Sequence, residues 1–137
     1  QCEDAEIILV TSGTITSTSR QLLQDLRARG EPVGLFKIKL FRPFPADAIR
    51  RGLQHARKVA VIDRNCSFGA GGIFAQEVRA ALCNQSNGPK VWSYIAGLGG
   101  RDVTQDLLET IYQQTKTQQH PPEESVWMGL REVSHAT

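Results

Sequence analysis

Four short apolar runs, each followed by a helical stripe, constrain the fold of this 137-residue chain more than any other feature. They are Glu6 to Val10 (EIILV), Val33 to Leu40 (VGLFKIKL), Lys58 to Ile62 (KVAVI) and Lys90 to Ile95 (KVWSYI). Runs of this length, bounded by turn residues and nearly continuous in apolar character, predict strands buried on both faces. Lys37 and Lys39 alternate with Phe36, Ile38 and Leu40, so one face of the second run meets solvent or a partner. Between and after the runs, apolar residues recur at helical spacing: Leu22, Leu23 and Leu26; Ile49, Leu53 and Ala56; Phe74, Val78, Ala81 and Leu82; Leu107, Leu108, Ile111 and Tyr112. Ser17 or Ser19 is the expected cap of the first helix, and Gly30 its stop. Pro45 fits the first turn of the second helix, and Asp102 or Thr104 can cap the fourth. Strands alternating with helices predict an α/β domain in three layers (α/β/α). Its sheet would be mostly parallel, with four to five strands and right-handed crossovers.

The α/β pattern fills residues 1–115. Residues 116–137 read as a polar linker containing Pro121-Pro122 and a tail with the short apolar segment Ser125 to Leu130. The chain is 40% hydrophobic and 22% charged, which argues for an ordered globular domain. A net charge of +2 is too weak to point to nucleic acid or an anionic membrane surface. No apolar run approaches the roughly 18 residues needed to cross a bilayer. Cys2, Cys66 and Cys83 form no C-x-x-C pair and cannot hold an iron–sulfur cluster unaided. Their odd number and the lack of a signal peptide suggest the reducing cytoplasm. His55, His120 and His135 have no metal-binding spacing. The only methionine is Met128, so the chain reads as a piece of a longer polypeptide, with a processed N-terminus as the alternative.

Ligands of such sheets favour the carboxyl ends of strands. Here those ends carry Thr11-Ser12-Gly13-Thr14, Asp63-Arg64-Asn65 and Ala96 to Gly100. The glycine-rich stretch 69–72 precedes a helix, where N–H groups can hold a phosphate or the diphosphate of coenzyme A. The plainer reading is a tight turn that lets a neighbouring domain approach. Arg64 and Arg101 can each clamp a carboxylate or phosphate, or bridge Asp63, Asp102 or a partner subunit. Cys66 has Arg64 close in sequence but no histidine to serve as a base, so it reads as an incidental thiol. The basic stretch from Arg50 to Lys58 reads as a solvated helix face. Trp127 is expected to be buried, on its own domain or in an interface.

Those loops also carry a pattern. Phe41-Arg42-Pro43-Phe44-Pro45 resembles a turn of transketolase C-terminal domains. Three further motifs occur in order: Asp63-Arg64-Asn65 with Ser67-Phe68-Gly69, then Gly71-Gly72, then Gly97-Leu98-Gly99-Gly100-Arg101-Asp102-Val103-Thr104. Together they resemble the transketolase-C-like second domain of pyruvate:ferredoxin and related 2-oxoacid:ferredoxin oxidoreductases. Val126 to Leu130 resembles the end of their α subunits. The resemblance covers about residues 5 to 130.

It implies an assembly and interdomain-contact domain of an enzyme that oxidatively decarboxylates a 2-oxoacid to an acyl-CoA and passes electrons to ferredoxin. The complete enzyme would use thiamine diphosphate, magnesium, iron–sulfur clusters and coenzyme A, with none of them held by this chain. No catalytic, cofactor-binding or metal-binding residue is expected here, and the isolated chain is expected to be inactive. The residues expected to face a partner or ligand are Arg42, Arg64, Asn65, Ser67, Gly69, Gly71, Gly72, Gly99, Gly100, Arg101 and Asp102. The resemblance also implies a strand order of 2-1-3-4, with any antiparallel edge strand supplied from upstream of Gln1. The alternatives are a self-contained module binding an anion or coenzyme A at the strand ends, and a freestanding regulatory protein.

Overall fold

The computed structural model describes residues 2–130. In chain order the elements are β1 (Ile7–Ser12), α1 (Ile15–Ala28), β2 (Val33–Ile38), α2 (Ala46–Leu53), β3 (Lys58–Asp63) and α3 (Ile73–Leu82). They continue with β4 (Lys90–Ile95), a 3-10 turn at Leu98–Gly100, α4 (Gln105–Thr117) and β5 (Val126–Trp127). The sheet order is β2-β1-β3-β4-β5, and every pairing is parallel. The 2-1-3-4 order expected from the resemblance is therefore present. The chain leaves β1 towards β2 and returns past it to β3, so the switch point lies between β1 and β3.

Strand residues alternate between two cores because successive side chains point to opposite faces. Ile7, Leu9, Ala60, Ile62, Trp92 and Tyr94 pack against α1 and α4. Ile8, Val10, Val59, Val61 and Val91 pack against α2 and α3. This two-sided burial explains why the strands read as unbroken apolar runs. Burying one such side chain contributes about 1.5–3 kcal/mol, so neither helical layer is dispensable.

Several local expectations are corrected. α1 starts at Ile15 with Thr14 at its N-cap. Ser17 and Ser19 lie inside the helix, and the Ser19 hydroxyl donates to the Ile15 carbonyl at 2.9 Å. β2 ends at Ile38, which leaves Leu40 and Phe41 beyond the sheet. Of the two proposed caps for α4, Thr104 serves: its hydroxyl oxygen accepts from the Leu107 N–H at 3.2 Å. α4 runs on to Thr117. The tail adds a fifth, parallel strand beside β4, because Val126 and Trp127 pair with Tyr94 and Ile95; it lies within the expected four to five strands and does not bear on an antiparallel strand from upstream.

One device was not legible in the sequence. The Lys58 ammonium donates to the carbonyls of Thr115, Lys116 and Gln118 at 2.8, 2.8 and 2.6 Å. It thereby closes the C-terminus of α4, where the helix dipole favours a cation. Desolvation, and then the neighbouring charge of Lys90, hold its pKa below the ordinary lysine value. The Trp92 indole N–H donates to the Gln118 side chain at 2.8 Å, and the Tyr94 hydroxyl is 2.9 Å from that of Thr115. Among the described residues no buried side-chain nitrogen or oxygen lacks a hydrogen-bond partner.

Candidate functional site: the carboxyl edge of the sheet

The β3–α3 loop dominates this edge. β3 ends at Asp63, a carboxylate with no solvent exposure. Its Oδ1 accepts from Phe74 N–H at 2.9 Å and its Oδ2 from Ala75 N–H at 3.1 Å. The Asn65 side-chain oxygen accepts from Ile73 N–H at 3.1 Å, and Ser125 Oγ accepts from Gly72 N–H at 3.3 Å. The four N–H groups that open α3 are thus all answered by side chains of this chain, so they do not wait for an anion. Burial pushes the Asp63 carboxyl up to about 6, although the bonds from Phe74 and Ala75 pull it down. Gly72 follows from the same arrangement. A Cβ there would lie 2.2 Å from Asp63 Oδ2, and that oxygen is fixed.

Beyond the root the loop folds back on itself. Ser67 and Gly71 form an antiparallel bridge, with Ser67 N–H to Gly71 O at 2.8 Å and Gly71 N–H to Ser67 O at 2.9 Å. Gly69 and Gly71 take φ of +80° and +87°, the left-handed region that such a reversal needs. The Gln76 amide donates to the Ala70 carbonyl and ties the turn to α3. At its tip Phe68 is 97% exposed. A groove of about 350 Å³ runs from this turn past Cys66 and Arg79 to Glu123, Glu124 and Trp127. Trp127 is 43% exposed, so its own domain does not bury it, and of the two expected burials the interface is the one left.

Arg64 and Arg101 do not form the carboxylate bridges considered above. The Arg64 guanidinium donates to Thr14 Oγ1 at 3.0 Å and to the Gly97 carbonyl at 3.4 Å, so it joins the ends of β1 and β4. Gly97 is buried with φ +76°, and a Cβ there would meet Val103 at 2.8 Å and Arg64 Nε at 3.1 Å. Arg101 donates to the Gly129 carbonyl at 2.6 Å and holds the tail. Gly99, Gly100 and Asp102 lie exposed on the same loop. Arg42 is stacked 3.9 Å over the Phe41 ring and paired with Glu77 at 2.5 Å. The structure therefore joins the β3–α3 loop to the 97–102 loop through Arg64, and places Arg42 on the first turns of α3 through Phe41, Phe74 and Glu77.

This arrangement does not fit a diphosphate at the start of α3, whether of coenzyme A or of thiamine. Among the described residues no three His, Cys, Asp or Glu side chains converge to hold a metal ion. Sequence reasoning missed Asp63 as the pivot and Ser125 as the acceptor for Gly72 N–H. An acidic residue at the end of an apolar strand, ahead of a Gly-Gly helix start, was the available signal for the first. Ser125 offered none, since its role depends on the tail returning to β4.

The family of pyruvate:ferredoxin oxidoreductase core domain II matches residues 5–108. The chain belongs to this family. It is 44% identical over 135 residues to pyruvate synthase subunit PorA of Methanothermobacter thermautotrophicus, covering 98% of this chain and 33% of the relative. It is 38% identical over 109 residues to ketoisovalerate oxidoreductase subunit VorA of Pyrococcus furiosus, covering 80% of this chain and 28% of the relative. The chain thus spans about a third of the length of these relatives. The fold matches part of the 2-oxoglutarate:ferredoxin oxidoreductase from Magnetococcus marinus, with a TM-score of 0.62 and 22% identity over 82% of this chain and 18% of that one. That structure holds 2-oxoglutarate, coenzyme A and succinyl-CoA.

Proposed function

We propose that this chain is the second-domain part of a thiamine diphosphate-dependent 2-oxoacid:ferredoxin oxidoreductase, and that it serves assembly and interdomain contact rather than catalysis. The observation that carries this reading is the start of α3. Its N–H groups are consumed by Asp63, Asn65 and Ser125, while the adjoining turn projects Phe68 into solvent. The edge that would bind a ligand in a related α/β sheet is spent on folding, and what it offers outward is a contact surface. The competing reading, a self-contained module for an anion or coenzyme A, loses the donors it would need at this helix.

Thiamine diphosphate, magnesium, iron–sulfur clusters and coenzyme A belong, on this proposal, to the other domains and subunits, as does the contact with ferredoxin. The relatives are named for pyruvate and for ketoisovalerate, which agrees with a substrate chosen elsewhere in the enzyme. We place Ser67, Gly69 and Gly71 in the contact surface, and Asn65 and Gly72 in the scaffold beneath it. Cys2, Cys66 and Cys83 are free thiols, in keeping with a cytoplasmic setting, and no described helix is long and apolar enough to cross a membrane.

Viologen-dye reduction tests the proposal. The complete enzyme should reduce the dye with a 2-oxoacid and coenzyme A, and the isolated chain should not. Oxoacid-dependent reduction by this chain alone, or micromolar binding of thiamine diphosphate to it in calorimetry, would overturn the reading.

A further inference from the structure

We propose that the Ser67–Gly71 turn is a docking knob whose tip, Phe68, inserts into an apolar socket with a basic rim on another part of the same oxidoreductase. The inference rests on the function proposed above and names the surface that performs it. Phe68 is 97% exposed, yet it does not ride on a slack loop. Its turn is closed by the paired Ser67–Gly71 bonds, tied to α3 through Gln76 and rooted where Ser125 meets Gly72. An exposed aromatic ring held this firmly has little ordering entropy left to lose on binding, as a binding anchor requires.

The surroundings extend the surface. Trp127 flanks the same groove, and Leu130, 60% exposed, lies along the adjoining one. Glu123 and Glu124 line the groove and form no ion pair among the described residues, which selects a partner with lysine or arginine beside its apolar pocket. The other exposed phenylalanine, Phe41, is already engaged: it meets Phe74 edge-on at 5.2 Å and lies under Arg42. The relatives are about three times as long as this chain, so a socket has ample protein to come from.

Cys66 lines the groove and reports on its cover. The complete enzyme is treated with a maleimide, and labelling of Cys66 is followed by peptide mass spectrometry. Phe68→Ser should raise the Cys66 rate about 10-fold, the change expected when a binding anchor is removed. Phe68→Leu should keep labelling slow, the double change Glu123→Lys with Glu124→Lys should speed it, and Leu40→Ser should leave it unchanged. Equal rates in the wild type and Phe68→Ser overturn the proposal, and so does a cross-link from this turn to a second copy of itself. An enzyme that turns over 2-oxoacid with Cys66 open defeats the knob alone. A chain that joins no oxidoreductase defeats the proposed function as well.

Discussion

At its root the β3–α3 loop behaves as core. Asp63 is sealed from solvent, each of its oxygens holds a backbone N–H, and Gly72 has no room for a methyl group. A few residues away, at its tip, the same loop leaves a phenylalanine almost wholly in water. The two regions share one stretch of chain and answer different demands. The root spends the helix N-terminus on the fold, and by doing so it turns the loop into a rigid mount for the tip. A loop built to bind phosphate would do the reverse, leaving its N–H groups open and its rim polar.

The contrast is sharpest at Asp63. Asp63→Ala strands two N–H groups at a buried helix start and should destabilise the domain by about 3 kcal/mol or more in urea unfolding. A loss under about 1 kcal/mol would mean that solvent reaches the root, and the contrast would fail. The pH dependence should be nearly as large. Burial raises the folded carboxyl from 3.8 to about 6, so the folded state keeps a proton that the unfolded chain releases between those values. This contribution to stability is complete below about pH 4, is lost as pH rises through about 6, and amounts to roughly 2–3 kcal/mol. Asp63→Asn should flatten that slope in urea titrations run across the window. Gly72→Ala forces a methyl group against a fixed carboxylate oxygen and should cost about 1–3 kcal/mol. Arg64→Ala is the mildest change. It removes one exposed and one part-buried bond to neutral partners, and the thermal midpoint should reflect less than about 1 kcal/mol.

How much of this the sequence disclosed depends on the range of the interaction. Strand and helix positions followed from local periodicity, and the order of the first four strands followed from motifs that resemble a known family. The caps were mixed. Thr104 was legible because it immediately precedes its helix, whereas Ser19 looked like a cap and is instead bonded to Ile15 within the turn before it. Long-range polar contacts left no local trace. Lys58 closes a helix that ends about sixty residues downstream, and Ser125 reaches Gly72 only because β5 pairs with β4. The arginines misled for a related reason: adjacent carboxylates looked like their natural partners, but backbone carbonyls and a threonine hydroxyl lay in better positions. Phe68 was visible as part of a motif, but its exposure depends on the glycine turn that carries it.

Hydrogen exchange measured by peptide on the isolated domain and on the complete enzyme tests the division between root and tip most directly. Amides 73–75 should be strongly protected in both, because their acceptors lie within the domain. The solvent-facing amides of Phe68 and Gly69 should exchange quickly in the isolated domain and slowly in the complete enzyme, whereas those of Ser67 and Gly71, bonded across the turn, should be slower in both. Equal, fast exchange of Phe68 and Gly69 in both would contradict the account, as would a root that gains its protection only when the rest of the enzyme is present.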